Sequence, residues 1–276
     1  MSSAPLIFLK LGGSLLTNKN RESSARLETI ERCAREVGRA LHGRPELRLL
    51  LAHGSGSFGH VAAVRSRFGS GGVAGYAETG AAAARLNRIV TDIFLGAGLP
   101  VVSMQPSASA LCDNGRLIEM GTGPIEFALV NGLIPFLFGD VAFDRSRGET
   151  IVSTEMLLAY FASVLQPRRI VLAGEVSGVY TADPLTLTAA ELIPRITPSS
   201  FPSVRALLGG SHGIDVTGGM LTKVEQMIEL VGRFPGLSVH IISGETSGLL
   251  AQALQVDDNS LGTRIEADAP LARVAA

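Results

Sequence analysis

The chain has little of what several protein classes need. Its 276 residues include two cysteines, Cys33 and Cys112, far apart and without metal-ligand spacing. That excludes a disulfide scaffold and a cysteine-ligated metal site. It fits a reducing compartment, with two buried apolar thiols as the plain expectation. Neither sign of charge is in excess, with 24 Lys plus Arg against 25 Asp plus Glu. Such a balance argues against a nucleic-acid-binding surface, while a local basic site stays possible. No apolar run reaches about 18 residues, because Gly, Pro or charge interrupts each one, so no membrane partner is expected. Met1 to Pro5 has no basic n-region, and the reading is of a soluble, cytoplasmic protein. Repeats and low-complexity linkers are absent, and the tail from Asp268 is expected to fray. There is no metal-ligand cluster and no Gly-x-Ser-x-Gly elbow. There is no Walker A either: Gly213 and Gly218 have its spacing, but Gly219-Met220 stands where Lys-Ser/Thr is required.

What is present is apolar, at 46% hydrophobic residues, and alternates between two periods. Leu6–Leu11, Leu47–Ala52, Pro100–Met104, Ile134–Phe138, Arg169–Ala173 and Leu237–Ile242 read as strands. Helices are expected over 25–42, 81–94, 124–131, 155–165, 201–208, 221–231 and 249–254. Residues 106–119 read as irregular or hairpin-like, and Val141–Phe143 with Thr150–Val152 as a hairpin. Ser153 or Thr154 is the expected N-cap of the helix that follows. Gly178 to Pro184 reads as a loop. The alternation implies an α/β protein whose mostly parallel sheet is covered on both faces.

Two strand exits are glycine-rich. After Leu6–Leu11 come Gly12-Gly13-Ser14, with Lys10 before and Lys19 after. After Leu47–Leu51 come Ala52-His53-Gly54-Ser55-Gly56-Ser57-Phe58-Gly59-His60. Such turns let the backbone approach a ligand closely, and their free N–H groups bind anions. A third glycine-rich stretch, Gly213 to Met220, leads into a helix carrying Lys223. A cation in a first helical turn opposes the helix dipole unless an anion binds there. Lys10 ends a strand that is otherwise apolar and calls for a partner or a ligand. His60 fits a donor to a phosphate, while His53 fits a structural role. A competing reading is the dinucleotide fingerprint Gly54-x-Gly56-x-x-Gly59, with Glu78 near ribose-binding distance. It sits in the second βα unit, and its last glycine is followed by a histidine that NAD does not require.

Taken together, Lys10-Leu-Gly-Gly-Ser14, Lys19, His53 to His60, Gly139-Asp140 and Asp215 to Met220 with Lys223 resemble the amino-acid kinase superfamily. Within it they resemble the isopentenyl phosphate kinase family, whose Gly-Ser-Phe-Gly-His piece marks a phosphate acceptor. The resemblance runs from about Leu6 to about Arg264. It implies a three-layer αβα sandwich with one continuous sheet, an N-lobe (1–166) for the acceptor and a C-lobe (167–276) for ATP. It implies ATP with Mg²⁺, isopentenyl phosphate or a similar alkyl phosphate as acceptor, and a homodimer. The residues it assigns to catalysis are Lys10, Lys19, His60, Lys223 and Glu155. Gly54, Gly59, His60, Thr154, Gly139 and Asp140 would hold the acceptor. Lys10, Gly12, Gly13, Ser14, Ser55, Glu175, Tyr180, Asp183, Gly218 and Lys223 would hold ATP. No protein metal ligand is implied. The chain departs from the pattern at Ser153-Thr154-Glu155-Met156, where relatives commonly read Ser-Gly-Asp-Asp. Glu155 can replace the first acid, and Met156 cannot replace the second. An isoprenyl chain would need apolar walls, for which Tyr76, Ala83, Ile93, Phe94 and Phe138 are candidates, and a carboxylate acceptor would need an arginine such as Arg65, Arg85 or Arg88. Another small-molecule kinase of this fold (acetylglutamate, aspartate, carbamate or UMP as acceptor) and a non-catalytic nucleotide sensor remain alternatives.

Overall fold

The computed structural model describes residues 4–18, 21–69, 72–182, 184, 189–208, 219–256 and 260–269. Its first half runs β1 (Leu6–Leu11), α1 (Gly13–Leu16), α2 (Leu27–Gly43), β2 (Arg48–His53), α3 (Gly56–Arg65), α4 (Gly72–Gly96), β3 (Val101–Ser103), β4 (Leu111–Asp113), β5 (Arg116–Glu119), α5 (Gly123–Val130), β6 (Ile134–Phe138), β7 (Asp140–Asp144), β8 (Gly148–Val152) and α6 (Thr154–Leu165). The second half runs β9 (Arg169–Gly174), β10 (Val179–Tyr180), β11 (Leu192–Ile193), β12 (Arg195–Ile196), α7 (Phe201–Leu208), α8 (Gly219–Arg233), β13 (Ser238–Ser243), α9 (Leu249–Gln255) and β14 (Thr263–Glu266).

Eight strands form the main sheet in the order β12-β14-β13-β9-β1-β2-β6-β3. Every neighbouring pair is parallel except β13 with β14. β1 lies between β2 and β9, so the first and second halves of the chain meet in mid-sheet. β4, β5, β7 and β8 make a separate small sheet, and Val179–Tyr180 pairs with Leu192–Ile193 inside the stretch read as a loop.

The period of two sorts β1 between two cores. Leu6 and Phe8 face one apolar cluster with residues of α6 and α8, while Ile7, Leu9 and Leu11 face the other with residues of α2, α4 and α9. The three layers follow from that sorting. α2 shows the matching stripe: Ile30, Cys33, Ala34, Val37 and Ala40 are fully buried at helical spacing. Its buried Glu36 accepts the Leu250 and Ala251 N–H groups, capping α9, whose own Gly248 provides no side-chain cap.

Three local expectations need correction. The stretch after β2 is a loop only through Ser55; from Gly56 it is helix α3. Its apolar signal is two buried residues, Phe58 and Ala62, too few to read as a period. α4 begins at Gly72, nine residues before the expected start. There the glycines serve close approach: a Cβ on Gly75 would lie 3.0 Å from Ser66 O, and one on Gly80 3.0 Å from Val141 Cγ2. Finally, the expected strands stop at Leu237–Ile242, whereas a short further strand, β14, pairs antiparallel beside β13.

Candidate active site

The glycine turns, Gly139, Glu175 and Ser243 all follow or end strands at one edge of the sheet, the carboxyl ends of β1, β2, β6, β9 and β13. In an open α/β sheet that edge is where ligands bind. A groove of about 1030 Å³ lies elsewhere, where β2, β3 and β6 begin, lined by residues such as Arg39, His42, Leu99 and Leu133. None of the expected site residues lines it.

The two glycine turns touch backbone to backbone. A Cβ on Gly13 would lie 2.5 Å from Gly56 N, and one on Gly54 2.8 Å from Gly13 N. Gly54 N–H also donates to Leu11 O at 3.1 Å. Gly56 has φ +51°, a left-handed conformation that suits glycine, and it starts α3 there. Thr17 joins the pair. Its hydroxyl, 1% exposed, donates to Gly13 O at 2.8 Å and accepts Ser57 N–H at 2.9 Å. Nothing in the sequence singles out this threonine.

Lys10 shares the parity of Leu6 and Phe8, so its side chain leaves the sheet toward α6 and α8. There its ammonium pairs with the Glu155 carboxylate, and both residues are buried. Burial alone would raise the Glu155 pKa, but the Lys10 and Lys223 charges hold the carboxyl below its usual range. Glu155, in the first turn of α6, thus sees two lysines, one from the sheet and one from α8. Ser153 caps α6 by accepting Met156 N–H at 3.1 Å, and Thr154 donates to His53 O at 3.1 Å. Met156 is partly buried and packs against the core on this side of the sheet.

His53 is fully buried. A carbonyl only accepts, so Nδ1 carries the proton and donates to Gly54 O at 2.9 Å. Nε2 then accepts Asn87 Nδ2–H at 3.1 Å. Burial first, with the Lys10 charge behind it, pushes the His53 pKa down to about 4. The ring stacks on Phe138 and meets Phe136 edge-on. His53 is therefore a neutral support of the second glycine turn, which places Asn87 in a supporting role as well.

The remaining expected site residues divide. Gly12, Ser14, Gly54 and Ser55 are half-buried around the paired turns, with Gly59 packed against Ser55. His60 is half-buried on α3, one turn beyond Ser57. Gly139 adjoins them: a Cβ there would lie 3.5 Å from Thr154 Oγ1 and 3.7 Å from Ser55 N. Asp140 is 2% exposed, and its carboxylate accepts Ser107 N–H at 3.0 Å and Val141 N–H at 2.9 Å. Burial raises its pKa, and those two bonds offset part of the rise. Lys223 is half-buried on α8, Glu175 directly follows β9, and Tyr180 lies in β10. Lys19, Asp183, Gly218 and the rest of the third glycine stretch up to Gly218 lie outside the described residues. Among the apolar wall candidates, Ala83, Phe94 and Phe138 are fully buried in the core, whereas Tyr76 stacks on the exposed Phe143. Among the described residues no group of three or more His, Cys, Asp or Glu could hold a metal ion.

A strand-edge site with paired glycine turns, two lysines and a helix start is suited to binding phosphates. Comparison with known proteins agrees. The model of the amino acid kinase family matches residues 5–243. The isopentenyl phosphate kinase of Methanothermobacter thermautotrophicus is 35% identical, over 94% of this chain and 98% of that relative. That of Methanocaldococcus jannaschii is 32% identical, over 80% of this chain and 86% of the relative. A crystal structure of an isopentenyl phosphate kinase superposes with a TM-score of 0.80 at 32% identity, covering 94% of this chain and all of that one. On these matches and on its fold, the chain belongs to the amino acid kinase family.

Proposed function

We propose that the protein transfers the γ-phosphoryl group of ATP to isopentenyl phosphate, giving isopentenyl diphosphate and ADP. The observation that carries this is the backbone contact between the Gly12–Ser14 turn and the start of α3, which sets two anion-binding turns side by side. The isopentenyl phosphate kinases among its relatives support the choice of acceptor.

An alkyl phosphate has a second pKa of about 6, so near pH 7 its oxygen is already a nucleophile and needs no general base. The obstacle is repulsion between two anions. The site must therefore provide positive charge and N–H donors at fixed places. In this reading Lys10 and Lys223 meet the transferring group, with Glu155 holding both lysines. Lys19, three residues past the end of α1 in sequence, adds charge. The amides of Gly12, Gly13 and Ser14, together with Ser55 and Gly218, receive ATP phosphates; Glu175, Tyr180 and Asp183 border the nucleotide. Gly54, Gly59, Gly139 and His60 receive the acceptor phosphate. Thr154 and Asp140 support that pocket through their backbone hydrogen bonds.

Mg²⁺ would reach the site on the ATP phosphates, since this ion keeps several waters and usually takes only one or two carboxylates besides substrate phosphates. It would supply charge neutralisation there. The acceptor half corresponds to residues 1–166 and the nucleotide half to 167–276. The protein is proposed to act in the cytoplasm as a homodimer; among the described residues no helix is long and apolar enough to cross a membrane.

A coupled ADP-release assay with isopentenyl phosphate, acetylglutamate, aspartate, carbamate and UMP tests the reading. Turnover is expected with isopentenyl phosphate. Turnover with another acceptor alone would move the protein to a different activity of the family, and nucleotide binding without turnover would make it a sensor.

A further inference from the structure

We infer that the Thr17 hydroxyl is a positioning group for phosphoryl transfer, holding the Gly12–Ser14 turn and the first turn of α3 at a fixed separation. The inference rests on the reading of this site as a kinase site.

The contact between the two turns has nothing soft in it. Gly13 and Gly56 meet through main-chain atoms, with no side chain between them to absorb a shift. Thr17 sits at the edge of that contact: a Cβ on Gly56 would lie 2.3 Å from its Oγ1 and 2.7 Å from Gly13 O. Its one hydroxyl serves both sides, as donor to Gly13 O and acceptor of Ser57 N–H. Ser57 N–H belongs to the first turn of α3, which has no intrahelical acceptor to offer it. A hydroxyl can donate to one turn and accept from the other through a single atom.

The two turns carry the groups that must be registered. Lys10 lies three residues before Gly13. His60 lies three residues after Ser57, on the neighbouring turn of the same helix. Thr17 also forms a β-bridge to Ala25, and the neighbouring Asn18 bonds Ser24 through both backbone and side chain, which fixes the segment that carries the hydroxyl. One buried hydroxyl therefore lies where the supports of two phosphate-binding candidates, Lys10 and His60, converge. Transfer between two anions depends on position, and small displacements of oriented groups lower the rate steeply.

The test compares Thr17→Val, which keeps the shape without the hydroxyl, with Thr17→Ser, which keeps the hydroxyl. Steady-state kinetics are combined with ATP affinity measured by calorimetry without acceptor. Thr17→Val is expected to lose roughly 10- to 100-fold in kcat, the range that follows from orphaning a buried N–H group, and to bind ATP several-fold more weakly. Thr17→Ser is expected to stay within about threefold of the parent on both measures. A Thr17→Val protein with parental kcat and ATP affinity overturns the inference. So does one that fails to fold, because the hydroxyl then serves the fold and not the site, and so does a serine variant as impaired as the valine one. The ATP measurement does not depend on the acceptor. A parent inactive on isopentenyl phosphate, with ATP affinity still dependent on Thr17, would remove the acceptor assignment and leave this one standing.

Discussion

Lys10, near the end of the central strand, and Glu155, in the first turn of α6, form a buried ion pair across 145 residues of sequence. Lys223 contributes a second positive charge to the same carboxylate. Glu155, the one acid of the Ser153 to Met156 segment, is thus in contact with a lysine proposed to meet the transferring group.

Removing one partner of a buried pair costs about 3–5 kcal/mol, because the other charge is left uncompensated. Lys10→Ala and Glu155→Ala are therefore expected to be less stable as well as nearly inactive, with Glu155→Asp keeping part of the activity. The Glu155 carboxyl is held below its ordinary value of 4.5, so its contribution to stability is present above that pH and is lost as pH falls below it. Urea titrations of the parent and of Glu155→Gln between pH 7 and pH 3.5 check this. An acid loss that is equally steep in the Gln variant would show that Glu155 is not its source.

His53 titrates in a higher window. Its folded value of about 4 lies below its ordinary 6.5, so the unfolded chain binds the extra proton between those values. Stability is complete above about 6.5 and falls as pH drops toward 4, by a total on the order of 3 kcal/mol. His53→Gln, which can still donate to Gly54 O, is expected to flatten the curve between pH 6.5 and 5, where Glu155 is not yet titrating. An unchanged slope in that interval would mean that His53 is not buried neutral.

His60→Ala is expected to lower kcat/KM for the phosphate acceptor by roughly 10- to 150-fold, the worth of a hydrogen bond to a charged group. ATP affinity should change little, and His60→Gln should recover part of the loss. Its place on α3, one turn past Ser57, is the motive. Parental acceptor kinetics in the alanine variant would take His60 out of the site.

Gly13→Ala and Gly12→Ala should differ. At Gly13 the new methyl would meet Gly56 N at 2.5 Å, backbone against backbone, and one turn must move. At Gly12 the nearest atom, Ala173 O, is 3.2 Å away, a contact that a few tenths of an ångström relieve. Thermal midpoints and kcat should fall sharply for Gly13→Ala and mildly for Gly12→Ala. Equal effects would argue against the packed-turn geometry.

Much of this protein is determined by its sequence alone, wherever the signal is local. An apolar run followed by glycines marks β1 and β2 with their turns, and helical spacing marks α2, because periods and turn chemistry need only near neighbours. The same residue pattern marked the glycine turns that the structure brings together, and proposed the lysines and His60 beside them. The tertiary structure decided what these groups do to one another. Strand order places β1 between β2 and β9, which presses Gly13 onto Gly54 and Gly56. Strand parity turns Lys10 toward α6 and α8, where Glu155 pairs with it under the added charge of Lys223. α4 brings Asn87 to the buried His53, and α1 ends so that Thr17 reaches Ser57, 40 residues away, while still bonded to Gly13. These are contacts between distant segments, set by how sheet and helix layers stack, and no local pattern of residue types encodes them.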